Sequence, residues 1–430
     1  MFPEGFLWGA TTSAHAVEGA DFDSDWWYWE QRPGRIADNA TSKTAADHRN
    51  RYAADYDLAR KLGHTAHLLA LSWARIQPKG DAVDAAGLDH YRQRIEGLRA
   101  RSIEPIIALM HNATPKWFAD GGGWSRRDAP ERFADYARAV AQAIGDRCRR
   151  WIPFLDPVAY HDAAYLEGRW PPERRGGLHS LMAARNLLDA HGRAYGAIHD
   201  AIPDAQVGGS FATAWADPLD EESPWDVRTA RREQRRQLET PLMLLSGDHR
   251  RRLPGLEFLS GDRLDFIAVT DGGRYTTQFA MRRARQLGAR ITDGPHHDPA
   301  ALLARLGALH AYGKPILLVG SRLTPADDAV RCHQLLDHAA VVEAALAEGI
   351  PVIGYLHRAF LDGFEWRDGY TIRRGLVHVD WETLARTPNP SAYLLKDLIE
   401  AGHIRNGAIT RFCPGWTRPN LELTHAPPIA

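Results

Sequence analysis

The sequence predicts an α/β protein folded as a single (β/α)8 TIM barrel with elaborated loops after its strands. Three observations carry this expectation. Eight short apolar runs of strand length alternate with longer amphipathic stretches, the pattern of β/α units around a parallel sheet. Several of the longer stretches end where a helix is expected to stop. No long Gly/Ser/Pro linker breaks the series, so the 430 residues, enough for two or three average domains, are read as one barrel.

The first strand is expected at Phe6 to Gly9 and the second at Ala66 to Leu71, after a helical stretch that closes on Leu62-Gly63. The third runs from Glu104 to Leu109. Between it and the fourth, Trp151 to Leu155, the spacing predicts a helix over Arg126 to Gly145, with Phe133, Tyr136, Ala137, Val140, Ala141 and Ile144 on one face and glycine directly after the last apolar position. The remaining strands are expected at Gln206 to Ser210, Phe266 to Thr270, Pro315 to Val319 and Val352 to Leu356. The basic run Arg228 to Arg236 reads as a solvated helix face. Residues 1–402 are taken as the barrel domain, and 403–430, rich in turn formers, as a loosely structured C-terminal tail.

Composition narrows the partners. Hydrophobic content of 44% and charged content of 25% describe a globular chain with a large core, not a disordered one. A formal net charge of −1 gives no global field toward nucleic acid or an anionic membrane, so the expected partner is a small molecule. Three scattered cysteines, Cys148, Cys332 and Cys413, form no disulfide framework, and the N-terminus lacks a basic start followed by an apolar run; a cytoplasmic protein is expected. Asp47-His48, Asp156 with His161-Asp162, and His296-His297 are polar groupings without a complete ligand spacing, so no metal is expected. No Gly-rich phosphate loop or G-x-S-x-G elbow is present, and no cofactor is implied.

The chemistry of such a barrel sits where its strands end. There the motifs F-P-E-G-F-L-W-G-A-T-T-S-A-H-A-V-E-G, D-H-R-N-R-Y, L-S-W-A-R-I-Q-P-K-G, G-L-D-H-Y, S-I-E-P-I-I-A-L-M-H and G-Y-L-H-R-A-F-L-D-G-F-E-W-R-D-G-Y-T-I-R-R-G-L-V-H-V-D occur in order from residue 2 to about 398. The chain resembles glycoside hydrolase family 1, the β-glucosidase family. The resemblance implies a retaining mechanism with one carboxylate nucleophile and one acid/base carboxyl. The departures fall on those two groups. The acid/base motif N-E-P reads Leu155-Asp156-Pro157, and the nucleophile motif T-E-N-G reads V-G-S-R, which puts Gly320 at the nucleophile. The family's arginine beside the nucleophile aligns with Leu68, its sugar-contacting glutamine with Ala16, and an asparagine and a tyrosine after the sixth strand with Thr270 and Gly272.

Two further departures add charge: Arg358 aligns with a tryptophan and Arg374 with a phenylalanine, and guanidinium forks suit anionic ligands. Paired with Asp362, Asp368 or Glu365 they would instead be structural bridges. His111, Asn112, Glu365 and Trp366 remain as expected pocket residues, His111, Glu365 and Trp366 matching the family's sugar contacts. Asp156, next to an apolar leucine, is expected to have a raised pKa suited to proton transfer, with Asp271 a further acid near the mouth. The leading expectation is acid/base catalysis centred on Asp156, acting on a polar, anionic small molecule in an elimination, cyclisation or rearrangement of biosynthetic type. The alternatives are a pseudoglycosidase that binds or scaffolds without turnover, and residual β-glycosidase chemistry in which a water or external nucleophile occupies the space beside Gly320.

Overall fold

The protein is described from a computed structural model covering residues 1–80, 82–247, 261–282 and 286–423. Eight parallel strands close a barrel: β1 (Leu7–Ser13), β2 (Ala66–Ala70), β3 (Glu104–Met110), β4 (Arg150–Phe154), β5 (Gln206–Ala212), β6 (Phe266–Asp271), β7 (Ile316–Ser321) and β8 (Val352–His357). They pair in chain order, and closure runs from Leu7↔Gly354 to Ala10↔His357 between β1 and β8. Each strand stands where an apolar run was expected. The reason is visible in the burial: β2 and β6 are buried at every position, as strands covered on both faces must be.

Inside the barrel, Leu68, Ala70, Ile106, Ala108, Ile152, Leu155, Val319 and Leu356 form one apolar layer. Outside it, helices bury their apolar stripes against the strands. Helix Ala129–Ile144 buries all six positions of its expected face. Gly63 ends its helix with the left-handed backbone expected there (φ +83°), but Gly145 does not (φ −66°). It is glycine for space, because a Cβ there would lie 2.3 Å from Ile202 Cδ1.

Two additions decorate the barrel: a three-stranded sheet of Trp215–Pro218, Arg274–Arg282 and Gln286–His296, and a two-stranded ribbon of Val377–Val379 and Arg386–Pro388. The segment expected as a loose tail holds a helix, Asn406–Phe412, and buries Cys413 and Trp416 against the main core, with Trp416 Nε1 donating to Asp337 Oδ1 at 2.9 Å. Turn-forming composition hid those apolar anchors; residues 424–430 lie outside the described part of the chain. In the basic run, Arg236 is also not merely solvated, since it pairs with the buried Asp162.

Candidate functional site

At the C-terminal ends of the strands lies a cavity of about 620 Å³. Six arginines line it, Arg35, Arg169, Arg322, Arg358, Arg367 and Arg374, against three acidic residues, Asp156, Glu365 and Asp368; Asn112, Trp170 and Trp366 complete the polar and aromatic surface. The imbalance is local, because the whole chain is nearly neutral.

Asp156 follows β4 and precedes the short helix Pro157–His161 in left-handed backbone (φ +53°), a conformation Asp and Asn tolerate better than most residues. Asn112, just after β3, does the same (φ +61°). Both strand ends therefore carry backbone strain of the kind found at functional positions. The Asp156 N–H donates to Ser210 Oγ on β5 at 3.3 Å. Its carboxylate accepts from Arg358 Nη1 at 3.0 Å and from Arg322 Nη2 at 3.4 Å. These arginines are the first residues beyond β8 and β7, so strand geometry aims both into the barrel mouth.

Burial alone would push the Asp156 carboxyl up, but the guanidinium groups of Arg322 and Arg358 outweigh it and hold the pKa at about 2. This reverses the raised pKa expected from the sequence. The apolar neighbour Leu155 was visible there; the two cations brought from 166 and 202 residues away were not.

Gly320 lies in a bulge of β7. Leu318 pairs with Val269 and Ser321 with Asp271, so Val319 and Gly320 face the single residue Thr270. Its backbone is left-handed (φ +50°), and a Cβ built there would lie 2.7 Å from Arg358 N and 2.9 Å from Arg358 Cβ. At the Cβ position, the space beside Gly320 is thus taken by Arg358, the first residue after β8. Leu68, aligned with the family's arginine, is fully buried among apolar side chains of the barrel interior.

Arg374 donates from Nη1 to the Arg322 carbonyl at 3.1 Å, and its Nε lies 3.8 Å from Glu365 Oε2. Of the three acids considered as bridge partners, only Glu365 meets either predicted arginine; Asp362 is taken by Arg373 at 2.9 Å. Burial pushes the Glu365 carboxyl up, against the opposing pull of Arg374 and Arg358. His111 stands behind the lining: its Nδ1 is 2.8 Å from Ser13 Oγ, and its ring meets Trp366 edge-on at 5.3 Å. Burial, with Arg358 adding, pushes it down to about 3, so it is neutral. Asn112 reaches the cavity, with its Oδ1 buried and unpartnered. Asp271 turns away from the mouth toward His297 and His338, because β6 places its side chain on the outer face.

Sequence reasoning passed over Arg322, Arg35 and Arg169, and also His15. Arg322 could have been found as the first charge after a barrel strand. His15 stacks on Trp366 (5.5 Å, 10°) and lies buried between Asp21 Oδ2 and Glu30 Oε2 at 3.3 and 3.2 Å. Burial would lower its pKa, but the two carboxylates raise it to about 9. A folded-state pKa above the unfolded value of 6.5 adds stability that is fully present below 6.5 and lost as pH rises through about 9. Thermal denaturation should accordingly show Tm falling by several degrees between those limits, with His15→Asn flattening that dependence.

The profile of glycosyl hydrolase family 1 matches residues 1–245 and 320–404. Beta-glucosidase A of Thermotoga maritima is 27% identical, over 93% of this chain and 98% of its own length. Thermostable beta-glucosidase B of Thermobispora bispora is 31% identical, over 94% and 92%. Among solved structures, the beta-glucosidase from Thermotoga maritima in complex with glucoimidazole superposes with a TM-score of 0.85 at 27% identity, covering 94% of this chain and 99% of that one. The beta-glycosidase from Pyrococcus horikoshii does so with 0.86 at 27%, covering 96% and 97%. With the eight-stranded closed barrel and the motifs at its strand ends, these matches make the chain a member of glycosyl hydrolase family 1.

Proposed function

We propose that this chain binds an anionic, sugar-like small molecule at the mouth of its barrel and does not perform double-displacement hydrolysis of β-glucosides. The observation that carries this reading is the pairing of Asp156 with Arg322 and Arg358. A carboxyl with a pKa of about 2 is not a proton donor near neutrality, and Gly320 offers no nucleophile. Arg322 Nε and Asn112 Oδ1 are buried without hydrogen-bond partners and face a cavity of ligand size. Guanidinium forks match carboxylate, sulfate and phosphate, and Trp170 and Trp366 offer an apolar wall for a ring. Three buried free cysteines fit a reducing, cytoplasmic setting, and no described helix is long and apolar enough to cross a membrane.

A second reading rests on Glu365. Its pKa is raised by burial while that of Asp156 is lowered, which is how one site divides proton donor from base. In that reading Asp156 is the base, Glu365 the acid, and the reaction an elimination, cyclisation or rearrangement of the bound anion.

Calorimetric titration with glucuronate and a hexose phosphate, against glucose, tests the first reading. The anionic sugars should bind at least about 10-fold more tightly, about 1.4 kcal/mol, and Arg374→Ala should remove most of that margin. A para-nitrophenyl β-glucoside should be hydrolysed at the uncatalysed rate. Equal affinity for glucose, or hydrolysis well above background, would overturn it. Turnover of a bound anion that Glu365→Gln abolishes would favour the second reading.

A further inference from the structure

Outside the pocket, the end of β6 and the helix Asp328–Ala347 enclose a second polar cluster. Asp271 Oδ2 lies 3.0 Å from His297 Nδ1 and 3.2 Å from His338 Nε2, and these three atoms all fall within 4.8 Å of one another. Asp271 and His338 are buried, while His297 keeps 17% of its side chain in contact with solvent, which leaves one side for entry. The residues lie 26 and 67 positions from Asp271, so the adjacent His296-His297 pair in the sequence gave no hint of the other two.

We propose that Asp271, His297 and His338 form a binding site for one divalent transition-metal ion of the zinc type. Imidazole nitrogen and carboxylate oxygen bind zinc at about 2.0–2.2 Å, and a tetrahedron of that size has edges of about 3.3 Å. Two sides of the observed triangle are 3.0 and 3.2 Å.

Two of the ligands are hydrogen-bonded from behind, as metal ligands are, and the third has a carboxylate at ion-pair distance. His338 Nδ1 lies 3.3 Å from Tyr355 OH, His297 Nε2 3.3 Å from Asp337 Oδ2, and Asp271 Oδ1 accepts from the Gly273 N–H at 2.8 Å. Asp337 is itself fixed by Trp416 Nε1. Three protein ligands would leave a fourth position for water. The ion would tie together three separate pieces of chain: the end of β6, the loop before helix Pro299–His310, and the helix carrying His338. Without an ion, the same contacts are explained by one carboxylate oxygen accepting from two imidazoles, and the two cases separate experimentally.

The test is titration of chelator-treated, tag-free protein with Co²⁺. One equivalent should saturate a visible absorption band of tetrahedral type, one equivalent of Zn²⁺ should displace it, and Tm should rise on binding. His338→Ala should weaken Co²⁺ binding by about 100-fold and Tyr355→Phe by about 10-fold. Absence of a saturable band, or a band that His338→Ala leaves unchanged, overturns the site. If His338→Ala does not fold, His297→Ala at the solvent-facing position makes the same measurement, and unchanged binding there overturns the site equally.

Discussion

Gly320→Glu, which places a glutamate at the position proposed to have lost the family's nucleophile, will melt lower than the parent and will hydrolyse aryl β-glucosides no faster. The new Cβ would stand 2.7 Å from Arg358 N and 2.9 Å from Arg358 Cβ. The first is backbone, so no side-chain rotation relieves it. A side chain at φ +50° adds about 1–2 kcal/mol of left-handed strain, and overpacking typically another 1–3 kcal/mol, for a loss of about 2–5 kcal/mol. Leu68, which aligns with the arginine beside the family's nucleophile, is buried and apolar and offers the new carboxylate no charge there. Thermal denaturation and a para-nitrophenyl β-glucoside assay read both effects. A variant with parental Tm and real hydrolysis would mean that Gly320 is a simple deletion in an otherwise intact site. The expected result is instead that activity needs Arg358 and Leu68 changed as well, because Arg358 already stands where the new side chain would begin.

That coupling explains how much of the molecule was legible in sequence. The barrel was, because all eight strands are buried on both faces and so announce themselves as apolar runs between amphipathic helices. Asp156 and Arg358 stand just after their strands, as the chain order suggests, whereas Arg322, equally placed, was passed over. What those residues do to one another was not legible. Asp156 looked like a carboxyl in an apolar setting; its pKa is decided by Arg322 and Arg358, which only barrel closure brings to it. His297 looked like half of an incomplete pair, and its partners come from β6 and the helix outside it. The loose tail failed for a related reason: Cys413 and Trp416 are too few to form an apolar pattern, yet each finds a place in a core built by other segments.

Asp156→Asn should tighten the binding of an anionic sugar by about 10- to 100-fold, whereas losing a base that contacts the ligand would weaken it. The native carboxylate occupies donors of two guanidinium groups, at 3.0 and 3.4 Å, that an incoming anion would otherwise use. Two unit charges about 4 Å apart interact by roughly 4 kcal/mol at the effective dielectric of a site near the surface. Side-chain relaxation and solvent at the one-fifth exposed arginines reduce this, and about 1.4–2.8 kcal/mol of retained effect corresponds to about 10- to 100-fold. The same substitution should cost stability. A carboxyl whose pKa falls from 3.8 to about 2 on folding contributes about 2 kcal/mol, present above pH 3.8 and lost as pH drops toward 2, so parent and variant should converge in acid. Arg358→Ala must act oppositely on binding, since it removes an attractive charge and frees the competing one. Glucose should discriminate little among the three proteins. Calorimetry with glucuronate and glucose therefore gives a pattern of signs, and weaker anion binding in Asp156→Asn would mean that the carboxylate touches the ligand itself, which would return it to the role of a base.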